Sequence, residues 1–239
     1  MNMREFDDRH VVVTGGTGAL GIALVRMLIE RGAHCHVAAI DEADAARFAL
    51  ASDARVTVRA GVDVTDDVSV ERFYAQLPGL WASIHIAGGY AGGPILETTP
   101  VVARRMLSMN AMSVFLCSRE AVRRFRGGEP DAPAPGGRIV NVSAKPALVP
   151  SAGVAAYAMS KAAVASLTVS LAEELRGEGI WVNAVVPSTM DTPANRGAMP
   201  NADFASWPKV EDVAETIAFL ASPLNKSTRG ALVPVYGRT

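Results

Sequence analysis

The stretch from residue 11 to residue 31 limits the possible folds more than any other part of the chain. Residues 11–14 are apolar or β-branched, which is typical of a strand buried on both faces. A turn rich in glycine follows, and apolar residues then recur at helical spacing over 19–31, up to Gly32. A strand, a glycine turn and a helix in this order predict a βα unit whose helix N-terminus binds a pyrophosphate.

A glycine turn alone is a weak signal, and an acidic residue after the next apolar run strengthens it. Asp41 follows the run 35–40 and lies 20 residues beyond Gly21, where a carboxylate accepts hydrogen bonds from an adenosine ribose. The same carboxylate repels a 2′-phosphate, Glu42 follows it, and the glycine turn contains no Lys or Arg. We therefore expect NAD(H) rather than NADP(H). The alternative for Asp41 is an N-cap of the next helix, and it could serve as both.

Length and composition favour one α/β domain over residues 1–239, because 49% of the residues are hydrophobic and such a chain can bury a sizeable core. A net charge of −1 gives no electrostatic case for nucleic acid or an anionic membrane. No apolar run reaches the roughly 18 residues of a membrane span, and the N-terminus lacks a signal-peptide pattern. Cys35 and Cys117 lack metal-type spacing. We expect buried free thiols, no metal site and a cytoplasmic location.

Strand and helix patterns alternate along the rest of the chain. Further strands are predicted over 35–40, 55–60, 81–87, 138–142, 180–186 and 231–236. Further helices are predicted over 42–52, from about 67 to 77, and over 97–126, 155–176 and 209–221. The proline-rich tract 127–137 is predicted to be a surface loop, and 188–208 a substrate lid. Six βα repeats and a last strand predict a Rossmann-type doubly wound parallel sheet of about seven strands, with helices on both faces.

Tyr157 and Lys161 are four residues apart and therefore share one helix face. A tyrosine with its ordinary pKa of about 10 is a poor base at pH 7. Lowering that pKa by about three units takes roughly 4 kcal/mol, which a cation about 4 Å away supplies at an effective dielectric near 20. We predict that Lys161 lowers the pKa of Tyr157. The alternative is an exposed helix face.

Two polar residues lie where they could complete a site around this pair. Ser143 follows the fifth predicted strand, and its hydroxyl could hold a substrate carbonyl oxygen next to Tyr157; the alternative is an ordinary turn serine. Asn110 lies inside a predicted helix, where asparagine competes for backbone hydrogen bonds. A buried polar role, such as ordering a water behind Lys161, is the alternative to plain exposure.

Together these motifs resemble the short-chain dehydrogenase/reductase family over nearly the full length of the chain. They are Thr14-Gly-x-x-Gly-x-x-Gly21, Asp63-Val64, Ala87-Gly88-Gly89, Asn110, Ser143 and Tyr157-x-x-x-Lys161. The resemblance implies an Asn-Ser-Tyr-Lys catalytic tetrad, in which the tyrosine is the acid/base and the lysine also binds the nicotinamide ribose. It implies cofactor binding by Gly15, Thr17, Gly18, Ala19, Leu20, Gly21, Asp41, Asp63, Val64, Ala87, Gly88, Gly89, Tyr157, Lys161, Pro187, Thr189 and Thr192.

Two departures from the common family pattern are similar to dihydropteridine reductase, a member of the same family. The second glycine of the turn is Gly18, one place early, and Ser188 follows Pro187 where glycine is usual. Segments 87–93, 191–196 and 199–207 extend this likeness. That enzyme lacks the tetrad serine and the helix asparagine, and this chain has both. We therefore expect an NAD(H)-dependent oxidoreductase that interconverts an alcohol and a ketone or aldehyde, with NADH-dependent reduction of a quinonoid dihydropterin as the alternative.

The remaining expectations concern the substrate and the assembly. Ser143 and Tyr157 are predicted to contact a small-molecule substrate, with apolar or aromatic lid contacts from Met190, Met199, Phe204 and Trp207. The family commonly forms tetramers through its two long helices, here 97–126 and 155–176, so the resemblance implies a homotetramer or homodimer. A non-catalytic NAD(H)-binding sensor is a third hypothesis, against which the intact tetrad weighs.

Overall fold

The fold is a parallel sheet covered by helices on both faces. The computed structural model describes residues 4–127 and 136–239. Its strands are β1 (His10–Thr14), β2 (His34–Ala38), β3 (Val56–Arg59), β4 (Ala82–His85), β5 (Gly137–Val142), β6 (Ile180–Pro187) and β7 (Leu232–Val235). They lie in the order β3-β2-β1-β4-β5-β6-β7, and every neighbouring pair is parallel. This confirms the predicted doubly wound sheet.

The helices divide between the two faces of the sheet. They are α1 (Ala19–Glu30), α2 (Glu42–Ala46), α3 (Asp67–Ala75), α4 (Pro100–Met106), α5 (Ser113–Phe125), α6 (Ala155–Glu174), α7 (Pro193–Ala198) and α8 (Val210–Ala221). Buried side chains of α1 and α8, such as Leu24 and Ile217, form one core. Those of α3, α5 and α6, such as Phe73 and Ala172, form the other. Burial on both faces explains the unbroken run of valines in β1.

Two predicted helices differ from the observed ones. The helix predicted over 42–52 ends at Ala46, because Phe48 turns into the core and is only 3% exposed. The helix predicted over 97–126 begins at Pro100 and is interrupted by a π-helical turn, Leu107–Met112. In the predicted loop 127–137, residues 128–135 lie outside the described part of the chain.

Helix α6 departs from the expectation that no segment is long and apolar enough to span a membrane. By length and composition alone, its 20 residues pass that test. Core helices of ordinary domains pass it as well, and Val164, Ala165 and Thr168 of α6 are buried in the fold. Packing against β5 and β6 therefore accounts for the apolar character of this helix.

The site-bearing loops lie together because of the sheet order. β1 and β4 are neighbours, yet the chain leaves β1 into α1 on one face and leaves β4 towards α5 on the other. Such a point of divergence opens a crevice at the carboxyl ends of the strands, where doubly wound sheets bind ligands.

Candidate active site

The glycine turn after β1 is a close-packed junction between two loops and a helix. Gly15 has a φ of +68°, and a Cβ there would lie 2.7 Å from the Ala87 nitrogen. A Cβ on Gly21 would clash with the Gly15 carbonyl oxygen. Glycine is therefore required at both positions, because the end of β1, the loop after β4 and the start of α1 approach one another so closely.

The start of α1 is suited to an anionic group. Gly18 is its N-cap and offers no side chain, and the first helical bond runs from the Ile22 N–H to the Gly18 carbonyl. Thr17 and the N–H groups of Ala19 and Leu20 lie at this end of the helix. The first turn contains no acidic residue. Free N–H groups and the helix dipole fit a pyrophosphate here.

Two carboxylates lie beside the glycine turn, at the end where an adenosine would bind. The Asp41 carboxylate accepts a hydrogen bond from the Asp44 N–H at 2.7 Å, which confirms the N-cap alternative. The Asp44 carboxylate accepts one from the Thr17 hydroxyl at 3.1 Å. The sequence analysis gave Asp44 no role at this site. Its position three residues after a capping aspartate is a signal that could have placed it in the first turn of the helix, next to the glycine turn.

The loop after β3 places Asp63 and Val64 at the same edge, both half-buried. The Asp63 carboxylate accepts hydrogen bonds from the Thr65 N–H at 2.8 Å and from the Thr65 hydroxyl at 2.7 Å. This turn orients Asp63, and its predicted contact with adenine stays a prediction.

Asn110 fixes the loop that contains Ala87, Gly88 and Gly89. Its Oδ1 accepts from the Gly89 N–H at 2.9 Å, and its Nδ2 donates to the Gly89 carbonyl and to the Ser160 hydroxyl, each at 3.0 Å. Asn110 is fully buried, so plain exposure is excluded. It lies in the π-helical turn, a kind of local widening that often occurs at functional sites. The water-ordering role stays a prediction.

Lys161 is buried directly beneath this loop. Its Nζ donates to the Val142 carbonyl at 2.8 Å. A Cβ on Gly88 would lie 3.4 Å from that ammonium and would clash with Asn110 Oδ1. Burial lowers the pKa of Lys161 to about 8. Asn110, Gly88 and Lys161 therefore form one packed unit, and the lysine is a cation held at the cost of its hydration.

The predicted lowering of the Tyr157 pKa is wrong for this structure. Burial, with a smaller contribution from the neighbouring Tyr90, raises the pKa of Tyr157 to about 12. The rings of Tyr90 and Tyr157 meet edge to face, with their centres 5.0 Å apart. Desolvation prevails because the Lys161 ammonium donates to Val142 rather than to the phenol. Tyr90 was not assigned a role from the sequence.

The Ser143 hydroxyl makes a hydrogen bond within the fold. It donates to the Lys161 carbonyl at 2.8 Å, and the residue is 1% exposed. This bond joins the end of β5 to α6. A hydroxyl oxygen can also accept a hydrogen bond, and the predicted contact of Ser143 with a substrate oxygen stays a prediction.

The four predicted lid contacts differ in exposure. Met199 is 39% exposed, and Phe204 and Met190 are half-buried. Trp207 is only 9% exposed and packs against Phe204, with ring centres 5.1 Å apart. Met190 also packs against the core. The substrate contacts of all four residues stay predictions.

The predicted lid is a loop whose two ends are joined. The Asp191 N–H donates to the Pro208 carbonyl at 2.9 Å, and between these ends lies α7, capped by Thr192. Pro187 ends β6, and Thr189 follows it, half-buried, at the same edge. The loop thus covers the carboxyl ends of the strands, while the predicted cofactor contacts of these residues stay predictions.

Comparison with known proteins identifies the family. Residues 9–203 match the family model described as short chain dehydrogenase. This chain is a short-chain dehydrogenase/reductase. It is 34% identical over 246 residues to a cis-4-hydroxycyclohexanecarboxylate dehydrogenase of Sinomonas cyclohexanicum, covering 97% of this chain and 96% of the relative. It is 36% identical to a galactitol 2-dehydrogenase of Rhizobium johnstonii, covering 96% and 94%.

A solved structure shows the same fold. ElxO with NADP bound has a TM-score of 0.86 to this short-chain dehydrogenase/reductase, at 22% identity, covering 96% of this chain and 98% of that one. The family model and the two relatives confirm the expected family and its oxidoreductase chemistry on alcohols and ketones, with a nicotinamide cofactor. The solved neighbour confirms the fold. The likeness to dihydropteridine reductase stays a prediction.

Proposed function

We propose that this protein interconverts a secondary alcohol and a ketone, with Tyr157 as the acid/base. The observation that carries the proposal is the packed unit of Asn110, Gly88 and Lys161, next to Tyr157 and to the glycine turn. The relatives named for dehydrogenation of 4-hydroxycyclohexanecarboxylate and of galactitol support a hydroxyl-bearing substrate.

The chemistry divides between the cofactor and the chain's own residues. Nicotinamide, when bound, takes up or returns the hydride of the carbinol carbon. Tyr157 moves the proton of the substrate oxygen, and its raised pKa keeps it protonated at neutral pH, ready to donate to a ketone oxygen. Lys161 supplies positive charge beneath the loop, and Asn110 keeps that loop in place.

Replacing Tyr157 with Phe tests this mechanism. We expect Tyr157→Phe to abolish turnover, because the proton donor is lost, and to leave NADH binding within about twofold, because the ring is kept. Turnover is followed at 340 nm with a panel of cyclic and acyclic ketones, and NADH binding by fluorescence. Retained turnover in this variant would remove Tyr157 from the mechanism.

We further propose a preference for NAD(H). The carboxylates of Asp41 and Asp44 lie beside Thr17 of the glycine turn, where they disfavour a 2′-phosphate. ElxO, which has NADP bound, is too distant to decide the preference. We expect NADH to bind at least 10-fold tighter than NADPH. Asp44→Asn should reduce this ratio of affinities. Tighter binding of NADPH to the unmodified protein would contradict the proposal.

One observation favours a second candidate, reduction of a quinonoid dihydropterin. The sequence argument for an alcohol depended on Ser143, and its hydroxyl is bonded to the Lys161 carbonyl instead. The test is NADH oxidation with freshly generated quinonoid dihydropterin. Turnover well above the non-enzymatic rate, unchanged in Ser143→Ala, supports this candidate. No turnover despite tight NADH binding eliminates it.

The assembly is also a proposal. A cleft of about 480 Å³ between the π-helical turn, α5 and α6 has an almost wholly apolar lining, including Leu107, Phe115 and Leu167. Phe115 and Met112 are nearly half exposed there. We propose that a second copy of this chain covers this face, as the family's use of these helices implies. A monomer at micromolar concentration in analytical ultracentrifugation would contradict this.

A further inference from the structure

Lys145 extends over the substrate side of the sheet. It begins the short 3₁₀ turn Lys145–Ala147 after β5, and that turn packs against α6, the helix of Tyr157. Its Nζ lies 5.1 Å from the ring centre of Tyr236, which follows β7. Because β6 lies between β5 and β7, the side chain reaches across the carboxyl end of β6.

This ammonium has no anionic partner in the part of the chain that the structure describes. Within residues 4–127 and 136–239, Lys145 makes no ion pair and no side-chain hydrogen bond, and the Tyr236 ring is its only charge-stabilising contact. Two other cations at this edge already have partners. Arg196 makes two hydrogen bonds to Asp191, at 2.6 and 2.8 Å, and Arg238 donates to the Ala205 carbonyl.

Lys145 is half-buried, and a ring face satisfies none of the three N–H donors of its ammonium. Exposed apolar side chains follow it in the chain: Leu148 and Val149, whose N–H groups bond to the Lys145 carbonyl, are 43% and 39% exposed. One compact cation next to exposed apolar side chains suits a single carboxylate on an apolar body. A phosphate more often meets several donors, frequently from arginine.

We propose that Lys145 binds a carboxylate of the substrate, so that this enzyme acts on hydroxy or keto acids with an apolar skeleton. The inference rests on the proposed alcohol/ketone chemistry at Tyr157, and it adds the charge of the substrate. The carboxylate pairs with the ammonium at one end of the molecule, and the carbinol carbon faces Tyr157 at the other.

The test compares two ring alcohols that differ in charge, 4-hydroxycyclohexanecarboxylate and 4-methylcyclohexanol. We expect Lys145→Gln to lower kcat/KM for the carboxylate by roughly 10- to 100-fold, mostly through KM, because one charge-assisted hydrogen bond is lost. The methyl compound should change by less than about twofold. Lys145→Arg should restore most of the loss.

Lys226→Gln is the matched control. Lys226 lies in the loop before β7, at the opposite edge of the sheet, so removing its charge should leave both substrates unaffected. Equal losses on both alcohols in Lys145→Gln would show a structural role and overturn the inference. An unchanged KM for the carboxylate would overturn it as well.

A binding measurement separates this inference from the proposed chemistry. Calorimetry with cyclohexanecarboxylate and the NADH-loaded enzyme needs no turnover. Binding that is lost in Lys145→Gln and kept in Lys145→Arg supports the inference even if no alcohol reacts. Turnover of neutral alcohols with no carboxylate binding would refute the inference and leave the proposed function standing.

Discussion

Acidification from pH 7.5 to pH 5 is expected to destabilise this protein through His85. The side chain is fully enclosed in a chain of hydrogen bonds beneath α3, α5 and α6. Its Nε2 is 2.8 Å from the Ser83 hydroxyl, which is 2.6 Å from the Tyr74 hydroxyl. Its Nδ1 is 2.8 Å from Asn141 Oδ1, and Asn141 Nδ2 donates to Thr168. These partners suit neutral His85 with its proton on Nδ1, because Asn141 Oδ1 can only accept.

The size of the effect follows from the pKa of His85. Burial lowers it from 6.5 to about 4. Below pH 6.5 the unfolded chain takes up a proton that the folded protein refuses, so this contribution to stability is fully present above pH 6.5 and is lost as the pH falls towards 4. At pH 5 the loss is about 2 kcal/mol, from 1.5 pH units at 1.36 kcal/mol each. His36, whose pKa burial also lowers to about 4, adds a loss of the same sign.

Guanidinium unfolding of the wild type and of His85→Gln at pH 7.5 and pH 5 measures this, at one protein concentration. Glutamine keeps a donor and an acceptor and does not titrate. The substitution itself changes the free energy of unfolding at pH 7.5. The further decrease in this free energy between pH 7.5 and pH 5 should be about 2 kcal/mol smaller in His85→Gln than in the wild type. His36→Gln is the matched control. This variant should still lose the part of its stability on acidification that is due to His85. The same acid-induced loss in wild type and His85→Gln would refute the reasoning.

Three further outcomes are expected. Gly88→Ala should weaken NADH binding at least 10-fold, because its Cβ would clash with Asn110 Oδ1. Titration of NADH fluorescence measures the affinity, and an unchanged affinity would contradict the close packing of this loop. Tyr90→Phe should shift the pH–rate profile for alcohol oxidation to lower pH, because the Tyr90 phenol raises the pKa of Tyr157; an unmoved profile would exclude that coupling. Gly237→Ala should lower the free energy of unfolding by about 1 kcal/mol or more, since its φ is +63° and a Cβ would lie 2.6 Å from the Ser206 carbonyl oxygen of the lid. An unchanged melting temperature would show that the C-terminal segment accommodates the methyl group without loss of stability.

The strands were predictable because most of them are short runs rich in apolar or β-branched residues that a turn or loop ends. The predicted strand over 180–186 differs by one residue from β6, and the glycine turn ends at the predicted start of α1. Helix lengths were less predictable. Periodicity alone continues past Ala46, whereas the core needs Phe48 and ends α2 early. The π-helical turn in 97–126 is also a product of packing, since its Asn110 binds Gly89, in a loop 21 residues earlier in the chain.

The sequence by itself determined the parallel fold, the family and the residues that meet at one edge, because buried strands, glycine turns and helix spacing are local patterns. Only the tertiary structure decided what those residues do to one another. Ser143 binds the Lys161 carbonyl, Lys161 binds the Val142 carbonyl, and the pKa of Tyr157 rises rather than falls. The physical reason is that a pKa depends on the balance between lost hydration and the distance to a charge. That distance is set by how a helix packs on its strand. The four-residue spacing of Tyr157 and Lys161 along the chain does not specify this packing.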